Sequence, residues 1–229
     1  MNEELSTYSD AELASLDWAA MRALMVRDED RVPRNVIDEC ARRGDAMIEP
    51  LKTLVAEDSD WYVDDEWWLK LHAIMILGLI PGESAGRLLV EYMRRMSVEE
   101  DDNLQEWLSG HWFALFRNKP ETVLPELRAL SEDRSLHWYM RTNAIEAYVE
   151  GARAQGNAEF ERALEWLAAI AADESEDWDM RLCSGNALLD DPRIQFRPLL
   201  EDLADRQDDF FPHFTARDVE YAYAGMEEK

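Results

Sequence analysis

The stretches SEDRSLHW (131–138) and DESEDW (173–178) decide the fold. Each is an acidic turn closed by a tryptophan. Earlier, EDSDW ends the same way at Trp61 and EEDDNLQEW at Trp107, so that successive tryptophans stand 46, 31 and 40 residues apart. Shortly behind each lies a segment whose apolar residues have helical spacing: WLKLHAIMIL about His72, WLSGHWFALF about His111, YMRTNAIEAY about Asn143 and RLCSGNALLD about Asn186. In the first three, an aromatic residue (Trp68, Trp107, Tyr139) precedes the polar centre by four positions and shares its helical face; Leu182 takes that place in the fourth. A second amphipathic segment follows each. PLKTL at Pro50, PELRAL at Pro125 and PLLEDL at Pro198 open alike, with a proline whose missing N–H is harmless in a first helical turn. Units of this kind, roughly 30 to 45 residues long, cannot bury their apolar stripes alone and must stack. The sequence predicts an all-α fold, a right-handed α-solenoid of about four to five HEAT-like helix pairs.

The flanks agree with a single domain over 1–229, with an N-terminal cap at 1–31, repeats over 32–208 and a C-terminal cap at 209–229. Ser9 and Glu12 form a capping box for a helix expected over 10–26, with Leu13, Leu16, Ala20 and Leu24 on one stripe. Pro33 and Gly44 bracket the next, which should bury Val36, Ile37, Cys40 and Ala41. The segment 68–79 is apolar nearly all round and should be a central helix covered on both sides. FFPHF at 210–214 is an aromatic plug ahead of a last short helix opened by Thr215 and Asp218. No Gly-, Ser- or Pro-rich linker interrupts the chain.

Charge narrows the function. Fifty Asp and Glu against 24 Lys and Arg give a net charge of −26, which repels phosphate backbones and anionic membranes and excludes sequence-independent nucleic-acid binding. Such a surface either keeps the protein solvated, attracts basic partners or suits high salt. The start MNEELSTYSD is acidic where a signal peptide is basic and then apolar, and no long uncharged apolar run occurs, so a cytoplasmic protein without a membrane partner is expected. Cys40 and Cys183 are too few for a disulfide framework.

Three segments carry a resemblance: VPRNVIDECARRGDAMIEPLKTLV at 32–55, WWLKLHAIMILGLIPGESAGRLLVEYM at 67–93 and HFTARDVEYAYAG at 213–225. In this order they resemble an uncharacterised bacterial family of HEAT-like helical proteins, and the similarity covers most of the chain. Their motifs are packing motifs, so the resemblance implies a fold more than an activity. Some relatives carry a C-terminal zinc module built on cysteines; this chain has no cysteine after Cys183 to supply one.

Residues able to do chemistry are few. His72, His111 and Asn143 recur at one helix position, either as a ladder of ligands or, as expected here, as buried polar groups bonded to neighbouring backbone. HxH, HExxH and CxxC spacings are absent, as are GxSxG, GxGxxG and the P-loop, so neither a metal, a cofactor nor an enzyme is indicated. The acidic clusters Asp58, Asp60, Asp64, Asp65 and Glu99, Glu100, Asp101, Asp102 lack the glycine of a calcium loop and read as solvated turns. What remains is surface. Arg87, Arg94 and Arg95 share the outer face of a helix whose inner face is Leu88, Leu89, Tyr92, Met93 and Met96; they are either a partner contact or internal i,i+4 partners of Glu91. Trp61, Tyr62 and Trp67 bracket the acidic insertion VDDE and form a second candidate binding loop. The expected function is a non-enzymatic scaffold whose inner, second-helix face holds a protein or peptide, a basic one given the field. The alternatives are an acidic decoy or regulator of a nucleic-acid-binding protein and, more remotely, an enzyme like the HEAT-like DNA glycosylases, which needs a basic groove.

Overall fold

The Ser9 hydroxyl accepts from the Glu12 amide while the Glu12 carboxylate accepts from the Ser9 amide at 2.8 Å, and this reciprocal cap starts helix α1 (Asp10–Ser15). The structure, a computed structural model, describes residues 6–56, 67–99, 107–108, 110–208 and 211–226, with the backbone alone at Val55, Trp67, Val98 and Glu99. The single helix expected over 10–26 is broken in two. Leu16 is extended (φ −78°, ψ 143°), and the Asp17 carboxylate accepts from the Ala20 amide at 2.9 Å to cap α2 (Trp18–Asp28). An aspartate offered mid-pattern bonds the backbone locally and so opens a new helix in place of continuing the old one.

The chain continues through α3 (Arg34–Arg42), α4 (Ile48–Ala56), α5 (Trp67–Leu79), α6 (Glu83–Glu99), α7 (Trp112–Leu115), α8 (Leu124–Glu132), α9 (Trp138–Gln155), α10 (Asn157–Ala172), α11 (Trp178–Asp190), α12 (Arg197–Arg206) and α13 (Ala216–Ala222). Among the described residues there is no strand. Pro33 and a left-handed Gly44 (φ +58°) bracket α3, which buries Val36, Ile37 and Cys40 and half-buries Ala41. Pro125 and Pro198 sit in the first turns of α8 and α12, where no amide is needed. Thr215 and Asp218 form a second reciprocal cap for α13. Of the aromatic plug, Phe214 is buried and Phe211 is exposed.

Each helix packs against near neighbours. One row runs α5, α7, α9, α11, α13; α4, α6 and α8 make contacts in a second row, as do α10 and α12; and the rows join through α5 with α6, α8 with α9, α9 with α10 and α10 with α11. The nearly all-apolar α5 touches α2, α3, α4, α6 and α7, which is why Leu69, Leu71, Ala73, Ile74, Ile76 and Leu77 are all buried. The buried apolar residues fall into two clusters that meet on α9, one from Leu13 to Ala147 and one from Ile145 to Tyr223.

The 40-residue spacing is written in side-chain bonds. Asp133 accepts from the Ser135 amide and hydroxyl at 3.1 and 2.6 Å, and Asp173 from those of Ser175 at 2.9 and 2.7 Å. Arg94 reaches Asp133 at 2.5 Å and Arg134 reaches Asp173 at 2.7 Å, each arginine thus bonding to an acidic turn 39 residues on. Arg141 Nε donates to the Ser131 carbonyl at 2.8 Å, and Arg181 Nε donates to the Ala171 carbonyl at 3.0 Å. These matches correct the expected polar ladder. Trp138 and Arg141 correspond to Trp178 and Arg181, so the counterpart of Asn143 is Cys183; Asn186 lies three positions on and is exposed. The segment about His111 does not form a full helix either. Gly110 is left-handed (φ +68°), α7 spans four residues, and His111 stands exposed just before it instead of buried at its centre.

Candidate functional site

From Tyr139, steps of three and four residues along α9 pass through Thr142, Asn143, Glu146, Val149, Glu150 and Arg153. That stripe faces Cys183, Asn186, Ala187, Asp190 and Asp191 across from it on or just after α11, and Gly110 and Phe113 close a third side. The result is a groove of about 530 Å³ along the row of α7, α9 and α11. Trp138 and Tyr139 form its aromatic end, their rings edge to face with centroids 5.8 Å apart.

The acids of the groove divide into two kinds. Arg153 binds Asp191 through both terminal nitrogens at 3.1 and 2.5 Å and Glu150 through Nε at 3.3 Å, so those two carboxylates are compensated. Glu146 and Asp190 have no hydrogen bond or ion pair among the described residues. Glu146 is open to solvent yet ringed by protein, and this partial desolvation, with the Asp190 charge added, raises its carboxyl above the ordinary range. Asn143 is occupied, donating to the Tyr139 carbonyl at 2.9 Å, whereas the buried Ser184 hydroxyl on the groove wall has no partner.

Beside the groove, Cys183 Sγ lies 3.7 Å from His213 Nδ1, and His213 Nε2 lies 3.5 Å from Asp179 Oδ1. The order thiol, imidazole, carboxylate invites a nucleophilic role. The surroundings oppose it: burial first, then the carboxylates of Asp179, Glu146 and Asp177, push the thiol up to about 12, so it remains protonated at neutral pH. Among the described residues no group of three or more His, Cys, Asp or Glu is arranged to hold a metal ion, and no helix is long and apolar enough to cross a membrane.

The residues singled out from the sequence lie elsewhere. Arg87 pairs with Glu83 at 2.6 Å and Glu126 at 3.1 Å, and Arg94 pairs with Asp133, so both link α6 to the α8 region; Arg95 is half-buried on the same helix. The inner face of α6 is as expected, with Leu88, Leu89, Tyr92, Met93 and Met96 buried. Trp61, Tyr62 and the acidic clusters at 58–65 and 100–102 are outside the described residues, as is the side chain of Trp67 at the start of α5. His72 is buried with Nε2 2.7 Å from the Glu29 carbonyl, the backbone bond expected of it. The groove itself could have been found by continuing the Tyr139–Asn143 face one and two further turns, to Glu146 and Glu150. No protein-family model, curated protein or solved structure matches this chain.

Proposed function

We propose that the chain is a non-enzymatic scaffold, an α-solenoid of HEAT-like helix pairs, whose groove between α7, α9 and α11 holds a basic segment of a protein or peptide. The solenoid is supported by the row-wise packing and by the turn bonds at Asp133 that are repeated 40 residues later at Asp173. The groove's role rests on one observation: Glu146 and Asp190 present two uncompensated carboxylates in a groove that Trp138 and Tyr139 also line. A guanidinium or ammonium group placed there gains both charge pairing and ring-face attraction. The net charge of −26 adds long-range steering of a cationic partner, strongest at low salt. Arg117, Lys119 and Arg153 line the adjoining depression, so acids do not run on continuously as a phosphate-mimicking decoy requires.

The test is fluorescence anisotropy with a labelled arginine-rich decapeptide. The double variant Glu146→Gln/Asp190→Asn should keep its helical circular dichroism and bind at least about tenfold more weakly than wild type, a loss in keeping with removal of charge-assisted bonds. Unchanged affinity would overturn the assignment.

A further inference from the structure

A second cavity, of about 550 Å³, lies between α3, α5 and α7, apart from the basic-segment groove. Its lining is mainly apolar: Ile37, Leu71, Met75 and Leu79, with Trp68 and Trp107 set edge to face at a centroid distance of 5.3 Å. Met75, Leu79 and Trp107 are 38, 39 and 54% exposed, and they are three of the seven large apolar side chains that stand largely open to solvent among the described residues. A volume of this order suits a small organic molecule.

One buried polar group lines this cavity. His72 Nε2 lies 2.7 Å from the Glu29 carbonyl oxygen, which can only accept, so Nε2 carries the hydrogen. The ring is neutral, because burial lowers its pKa. Nδ1 is then a bare acceptor, and it is buried without a partner. Buried polar atoms are rarely left so. The carbonyl that sets this tautomer belongs to Glu29, whose φ of +49° makes it the one non-glycine residue in left-handed territory among those described. Strain of this kind is kept where the surrounding structure imposes it and gathers at ligand sites. At the rim Arg34 is bound to Asp38 at 2.7 Å, while Asp30 lies 4.0 Å from Arg31 and its charge, with the Glu29 bond, opposes the lowering of the His72 pKa by burial.

We propose that this cavity binds a flat, neutral, largely apolar molecule carrying one O–H or N–H donor, which displaces the groups now covering His72 Nδ1 and bonds to it. The rings of Trp68 and Trp107 and the side chains of Met75 and Leu79 cover the apolar body, and the single donor fixes its orientation.

The experiment uses 2-naphthol, which carries one donor, and 2-methoxynaphthalene, which has the same ring system and none, each titrated into the intact protein by fluorescence. Imidazole ¹⁵N shifts report His72 directly. 2-Naphthol should bind and move the Nδ1 resonance, and the methoxy compound should bind about tenfold more weakly because it leaves the acceptor unpaired. Met75→Trp, which adds bulk at the solvent-exposed rim, should weaken 2-naphthol at least tenfold while leaving the arginine-rich peptide unaffected. His72→Phe keeps the ring and should erase the difference between the probes; if it does not fold, the ¹⁵N shift and the Met75 variant decide the matter. Equal binding of both probes to wild type, no binding of 2-naphthol, a stationary Nδ1 resonance, or a Met75→Trp protein that binds as before would each overturn the proposal.

Discussion

Arg141 is buried, yet each of its three guanidinium nitrogens makes a hydrogen bond. Nε donates to the Ser131 carbonyl at 2.8 Å, and the two terminal nitrogens meet the two oxygens of Glu176 at 2.9 Å each. This fork-to-fork pair holds the start of α9 to the turn before α11. Arg141 is the main reason that the Glu176 carboxyl titrates below the usual range. A depressed folded-state pKa stabilises the fold fully above the ordinary carboxylate value and ceases to do so as pH falls through the folded one. Arg141→Met leaves Glu176, with its side chain 7% exposed, only the half-exposed Arg134 at 3.2 Å and the Asp177 amide at 2.8 Å as partners, and should cost about 1 to 3 kcal/mol in urea unfolding at pH 7. The deficit should shrink below about pH 4, where Glu176 in the variant takes up a proton. A deficit that stays constant with pH would show that Arg141 acts through packing alone. This pair was legible in part: WYMR at 138–141 and WDMR at 178–181 repeat the buried arginine, but nothing local points to Glu176, 35 residues away from Arg141. The contact of Cys183 with His213 was illegible for the same reason, since it joins α11 to a turn 30 residues on.

At the scale of elements, the caps could be read and the interruptions could not. Ser9 with Glu12 and Thr215 with Asp218 signal helix starts through local bonds alone, whereas the break at Leu16 depends on Asp17 prevailing over a helical pattern that continues on both sides. How α5 ends was also hidden. Lys119, about 40 residues on, donates from Nζ to the carbonyls of Leu77, Gly78 and Ile80 at 2.9, 3.0 and 2.7 Å, satisfying acceptors that have no amide beyond the helix terminus. Burial pushes this ammonium down to about 8, which leaves it protonated at pH 7, its charge favourably placed at the negative end of the helix dipole. Lys119→Met keeps the stem and removes these three bonds together with the one to the Asn118 side-chain oxygen. It should cost about 1 to 3 kcal/mol, seen in urea unfolding together with faster amide exchange in the last turn of α5. Unaltered exchange there would mean that the carbonyls find other donors at no cost.

Over the whole molecule, charge sets a term that no contact map shows. With 50 acids and 24 cations, at least 26 carboxylates have no cation of their own, and folding brings them closer together than they are in the extended chain. Salt affects the two sides of this balance differently. The ion pairs that join segments distant in sequence, such as Arg87–Glu126 and Arg134–Asp173, are largely exposed and worth about 0 to 1 kcal/mol each, so screening them loses little. Repulsion among the excess carboxylates acts over many pairs and longer distances, and shortening the Debye length from about 30 Å at 0.01 M to about 8 Å at 0.15 M removes most of it. The buried pair of Arg141 with Glu176 is sheltered from this screening. The melting temperature at pH 7 should therefore rise by several degrees as NaCl increases from about 0.01 to 0.15 M, as expected when roughly 1 to 2 kcal/mol is recovered in a chain of this length. The arginine-rich peptide should bind more weakly over the same range, because there the charges attract. A melting temperature that falls with salt would show that these ion pairs outweigh the excess charge, and that the acidic surface is balanced locally rather than repelling as a whole.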